Sequence, residues 1–138
     1  MKETNLGNPA ASKPRSKPRP SGYPSEAAEQ MRLVKWLSER GYLFTATANG
    51  ADMSPAQRMK MGRTGVSPGV PDILIFENDR GYKGIAIELK RARGGKATSE
   101  QERWLQALSD RGWIAFVANG AEEAIVKLQQ VYDNGGYA

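Results

Sequence analysis

Two residue types central to hydrolytic chemistry are missing: the 138-residue chain contains no cysteine and no histidine. Without thiols there is no disulfide framework and no cysteine-based zinc site, which suits an intracellular protein. Without imidazole, Ser-His-Asp triads, Cys-His dyads, histidine-dependent nucleases and nearly every zinc hydrolase are excluded. Hydrolysis, if this chain performs it, has to rest on carboxylates, lysine and hard metal ions. An apolar leader is also missing, and no run approaches the roughly 18 apolar residues of a membrane span. The expectation is a soluble, cytoplasmic protein with no membrane partner and no small-molecule cofactor.

The length has room for one domain able to bury a core of its own. The net charge of +5 is unevenly placed, because residues 1–24 hold Lys2, Lys13, Arg15, Lys17 and Arg19 against Glu3 alone, a balance of +4. The rest of the chain is therefore close to neutral, and the high overall pI mostly describes the tail. Five of the eight prolines also fall there, interleaved with Ser, Lys and Arg in a composition that cannot bury enough apolar area to offset chain entropy. Residues 1–24 are expected to form a disordered basic arm, serving either solubility or phosphate contact, and residues 25–138 the folded domain.

Ser25 is a natural N-cap, and over residues 26–40 Leu33, Val34, Trp36 and Leu37 recur at helical spacing before Gly41. Residues 42–48 suit a strand. A long polar segment, residues 49–69, follows, with room for a short helix near residues 55–61. Asp72-Ile73-Leu74-Ile75-Phe76 reads as a buried strand, joined by a turn to Ile85-Ala86-Ile87-Glu88-Leu89-Lys90 as a hairpin. Thr98 or Ser99, with Gln101 or Glu102 as the reciprocal partner, caps the next helix, whose apolar stripe is Trp104, Leu105 and Leu108. A strand over residues 113–118 then implies a parallel pair with a crossover helix. A last amphipathic helix spans residues 121–132 through Ala124, Ile125, Leu128 and Tyr132. The pattern predicts an α/β domain with a mixed central sheet flanked by helices, in the order αβββαβ plus a C-terminal helix.

Alternation along the second hairpin strand puts Glu88 and Lys90 on one face. Asp72, stiffened by Pro71, starts the partner strand where its carboxylate can meet Glu88. A lone Glu-x-Lys is usually an exposed ion pair. Two carboxylates and a lysine at adjoining strand ends instead match a hard-metal site for phosphodiester hydrolysis, with Lys90 orienting water or offsetting developing charge.

Two helical residues extend the pattern. At 100° per residue Glu26 and Gln30 project along the middle of the arc of Leu33, Val34 and Leu37, with Glu29 nearer its edge, so Glu26 is expected to point inward. An acid in the first turn also favours the helix dipole, which explains Glu26 equally well. Gln101 lies one turn before Leu105 and is expected to point into the body, a placement compatible with its role in the capping box.

The ordered set Glu26-x-x-x-Gln30 with Trp36-Leu37, Gly69-Val70-Pro71-Asp72, Glu88-Leu89-Lys90, and Ser99-x-Gln101 with Trp104-Leu105 resembles the virus-type replication-repair nuclease (VRR-NUC) domain of the PD-(D/E)XK superfamily, over about residues 25–130. The resemblance implies a restriction-endonuclease-like core and a divalent metal, Mg²⁺ with Mn²⁺ as a substitute. It further implies Asp72, Glu88, Glu26 and the Leu89 backbone carbonyl as metal ligands, Lys90 as catalytic lysine and Gln101 as supporting glutamine. Glu29 stays open as the alternative helix-one acid. Stand-alone members are typical of bacteriophages and cut branched or flapped DNA, in some cases as dimers on four-way junctions.

From residue 58 to 96 nine basic residues face four acidic ones, and two of those acids are proposed ligands. Arg58, Lys60, Arg63, Arg91, Arg93 and Lys96 are the expected DNA contacts. The function expected is a metal-dependent DNA endonuclease for junctions or flaps, as a homodimer where both strands are cut. A non-catalytic junction-binding subunit and an RNA-directed nuclease remain as alternatives.

Overall fold

The computed structural model describes residues 22–47, 53–77 and 81–134. Most of the basic arm expected over residues 1–24 lies outside the described residues, as do Ala48, the start of the polar segment and the hairpin turn at 78–80.

Helix α1, Glu26–Glu39, starts where the Ser25 hydroxyl accepts the Ala28 N–H and stops before Gly41, at φ +73. Strand β1 is only Phe44–Ala46, shorter than the stretch expected from residue 42 to 48. Helix α2, Pro55–Arg63, has a complete capping box between Ser54 and Gln57 and buries no residue. Strands β2 (Ile73–Ile75) and β3 (Ile85–Lys90) form the expected antiparallel hairpin, Ile73 opposite Ile87 and Ile75 opposite Ile85. Helix α3, Ser99–Asp110, is capped by Thr98 with Gln101 in the reciprocal position. Strand β4, Ile114–Asn119, lies parallel to β3, and α4, Ala121–Asn134, closes the order. The four-stranded mixed sheet runs β1-β2-β3-β4.

The core covers one sheet face, where Ile73, Ile75, Ile85, Ile87 and Leu89 meet Leu33 and Leu37 of α1 and Ala124, Leu128 and Val131 of α4. Helix α3 packs on β3 and β4 outside that cluster through Leu105. All six β3 residues are buried. Since alternate side chains point to opposite faces, Ile85, Ile87 and Leu89 serve the core while Ala86, Glu88 and Lys90 are buried on the other side.

At the turn end of the hairpin, Tyr42 stacks on Tyr132, ring centroids 5.0 Å apart, and meets Trp36 edge-on. Burial, with Tyr82 and Tyr42 beside it, pushes the Tyr132 hydroxyl far above its ordinary pKa. The sheet edges offer little for strand addition: β1 is three residues long, and on β4 the Lys127 ammonium donates to the Val117 carbonyl at 3.0 Å and lies over the Phe116 ring. No helix among the described residues is long and apolar enough to cross a membrane.

Candidate active site

Asp72 immediately precedes β2, and continuing the register from Ile73 and Ile87 puts it opposite Glu88. Thr47, just past β1, holds this point: its N–H donates to the Asp72 carbonyl at 2.9 Å and its hydroxyl to the Pro71 carbonyl at 2.6 Å. The approach to Asp72 is shaped by Gly69, at φ +88, where a Cβ would stand 2.9 Å from the Glu100 carbonyl at the start of α3. Only glycine lets the Gly-Val-Pro-Asp segment lie against that helix.

The Asp72 carboxylate is buried, and its Oδ2 accepts the Leu89 N–H at 2.9 Å. In an extended strand a residue's N–H and C=O face the same side, so the Leu89 carbonyl is directed towards the β2 side as well. Glu88 is 1% exposed. Its Oε2 stands 3.7 Å from the Lys90 ammonium, an ion-pair distance longer than a good hydrogen bond, and its Oε1 is buried with no hydrogen-bond partner. Burial, then the hydrogen bond and negative charge of Asp72, raise the Glu88 pKa to about 9 against the opposing pull of Lys90. Two carboxylates can share a hydrogen bond only when one is protonated.

A divalent ion is the other way to neutralise this pair. The donors fit one: hard oxygens from Asp72 and Glu88, an orphaned Glu88 Oε1, and a backbone carbonyl alongside. Among the described residues no three carboxylates gather as a ligand group. Asp72 and Glu88 come together, and Glu26 stands farther out, adding unfavourable negative charge at Glu88.

The orientation expected for the first turn of α1 is corrected. Glu26 is exposed and Glu29 is buried, its Oε1 accepting the Ala121 N–H at 3.0 Å. The buried row is Glu29, Leu33 and Leu37, while Val34 is only partly covered, so the row 26-30-34 lies on the shoulder of the arc. Glu29 thus caps α4 from another helix, whereas the charge of Glu26 reaches Glu88. Gln101 takes the capping-box role expected of it: it is half-buried, and its Oε1 accepts the Thr98 N–H at 2.8 Å.

Beyond β3 the chain turns back on Lys90, which Gly95 permits, since a Cβ there would be 2.8 Å from the Lys90 Cβ. The Asn119 amide donates to the carbonyls of Arg91 and Gly95, both at 3.1 Å, and pins the loop. Arg91, Arg93 and Lys96 are exposed on it, and Arg93 donates to the Tyr23 hydroxyl at 3.1 Å while lying over that ring. Asn119 and Tyr23 carried no recognisable signal in the sequence, because their partners are 24 to 70 residues away. Arg58, Lys60 and Arg63 are exposed on α2.

Comparison with known proteins agrees with the fold. Residues 25–122 match the VRR-NUC domain. A solved structure described as a VRR_NUC domain protein superposes with a TM-score of 0.69 at 25% identity, covering 83% of this chain and 93% of that one. A search of curated proteins finds no match. With the family match spanning more than half of the sequence, the chain belongs to the VRR-NUC domain family, a family of nuclease type.

Proposed function

We propose that the protein is a divalent-metal-dependent endodeoxyribonuclease that hydrolyses phosphodiester bonds in branched or structured DNA, such as four-way junctions and flaps, during phage replication or recombination. The observation that carries this reading is the buried Asp72–Glu88 pair with Lys90 beside it, a carboxylate cluster whose burial is costly unless something neutralises it.

Asp72, Glu88 and the Leu89 carbonyl would hold Mg²⁺ or Mn²⁺, and Glu26 would strengthen the negative field. Bound there, the ion supplies Lewis acidity towards a phosphate oxygen and lowers the pKa of water. The chain does the rest. Lys90 places its ammonium next to the carboxylates, where it orients water and offsets charge building on the phosphate. Thr47 and Gly69 keep Asp72 at its station, and Gln101 stiffens the start of α3 behind that segment. Arg91, Arg93 and Lys96 take backbone phosphates next to the cut, with Arg58, Lys60 and Arg63 extending the basic surface. A domain of this size addresses one scissile phosphate, so cutting both strands symmetrically calls for a homodimer.

The test is cleavage of a labelled four-way junction and a flap with Mg²⁺ or Mn²⁺, run beside Lys90→Ala and Asp72→Asn. Cleavage by wild type and its loss in both variants is the expected result, and equal cleavage by all three removes the proposed site. Binding without cleavage identifies a junction-binding subunit instead, and preference for a ribose-containing substrate identifies an RNA-directed enzyme.

A further inference from the structure

The three tryptophans are used differently. Trp36 meets Tyr42 edge-on at 5.9 Å between centroids, and Trp113 meets Phe76 likewise at 6.3 Å. Trp104 has no ring partner among the described residues. It is half-buried on α3 next to Leu105, the one buried residue of that helix. Its ring lines two adjoining depressions rather than the core.

The larger, about 580 Å³, runs along α3 past Arg103, Trp104, Leu108 and Arg111, with Ser67 and Pro68 opposite. The second, about 240 Å³, joins Trp104 to Val70 and Thr47. Thr47 is the residue bonded to the carbonyls of Pro71 and Asp72. Through Thr47 the smaller depression abuts the backbone that carries Asp72. A third depression sharing Ser67 and Pro68 adds Arg58. The lining thus carries three guanidinium groups, against the single carboxylate of Glu100 at the Gly69 end.

An unpartnered aromatic face between guanidinium groups is the chemistry that receives single-stranded nucleic acid: a base stacks on the ring and phosphates pair with arginine. Bases within a duplex have both faces covered by their neighbours and cannot reach an indole recessed in a groove. We propose that the Trp104 groove is a subsite for an unpaired DNA strand leaving the Asp72–Glu88 centre, with a base on Trp104 and the flanking phosphates on Arg103 and Arg111. The inference rests on the nuclease reading and names the feature that site selects, a single-stranded arm beside a duplex.

The test measures binding without metal, in EDTA, to one duplex sequence presented blunt and with a single-stranded arm. Wild type should favour the armed DNA, Trp104→Leu should lose about tenfold for it while changing little for blunt duplex, and Trp104→Phe should recover most of the loss. On the unmodified protein, 5-iododeoxyuridine in the arm should photocross-link to the tryptic peptide of residues 104–111. Equal wild-type affinity for both DNAs, an equal loss for both in Trp104→Leu, or cross-links confined to other peptides would overturn the proposal. A cross-link at residues 104–111 without Mg²⁺-dependent cleavage supports the groove while removing the nuclease reading.

Discussion

The β2–β3 hairpin buries ionisable groups at both ends, and the ends behave oppositely. At the turn end Tyr132 lies among Tyr42 and Tyr82, and burial moves its pKa up, away from any working pH. The hydroxyl is neutral before and after folding, so the cluster is packing. At the open end Glu88 is buried beside Asp72, and the same physical cause moves its pKa up to about 9, across the physiological range. A carboxyl group ordinarily ionised at neutral pH is held where ionisation is opposed. A buried group whose protonation state departs from the one it would have in water is a stronger sign of chemistry than burial alone.

The contrast can be broken most strongly by Glu88→Gln. Cleavage should fall by at least about a hundredfold, since one preorganised charged group at the reacting centre is removed. The metal-free variant should nevertheless melt higher than wild type, because a neutral amide can donate to Asp72 without a buried charge. Tyr132→Phe, at the other end, should leave cleavage unchanged. A lower melting temperature for metal-free Glu88→Gln would show that the pair stabilises the fold and would erase the contrast between the two ends.

Glu88 has a folded pKa of about 9 against an ordinary value of 4.5, so its contribution to stability is fully present below about 4.5 and is lost as pH rises through 9. Metal-free wild type should therefore lose melting temperature, relative to Glu88→Gln, between pH 5 and 9. Mg²⁺ or Mn²⁺ at pH 8 should restore it in wild type and not in the variant, since an ion binding only the folded state stabilises by mass action.

Glu29 sharpens the comparison within the same end. It is also a buried carboxylate, but its Oε1 accepts the Ala121 N–H at the start of α4. Glu29→Ala should cost about 1–2 kcal/mol in urea unfolding, as loss of a helix cap does, opposite in sign to the metal-free effect at Glu88. The smallest effect expected is that of Arg93→Ala: binding a few-fold weaker on all sequences and a salt dependence reduced by about one phosphate contact. An unchanged salt slope would remove Arg93 from the DNA surface.

What could be read from the sequence was local. Period-two alternation and the hairpin placed Asp72 opposite Glu88 with Lys90 on the same face, and short-range chemistry identified the cap at Ser25 and narrowed that of α3 to Thr98 or Ser99. What escaped depends on distant partners. Whether position 26 or 29 of α1 faces inward is decided by α4, whose amide at Ala121 lies 92 residues away. Helical periodicity put Trp104 in the same stripe as Leu105, but which of them is buried depends on where the 65–70 segment runs past α3. The asparagine clamp at Asn119 is invisible for the same reason: its two carbonyl partners belong to a loop before the crossover helix.

The lysine laid across the outer strand has a consequence for assembly. A sheet ending in a long bare strand invites a second copy to continue it, the route to open-ended fibres. Here Lys127 occupies a carbonyl of β4, and β1, at the opposite margin, offers only three residues. Growth by strand addition is discouraged on both flanks, which leaves helical and loop surfaces as the places where a second copy could dock.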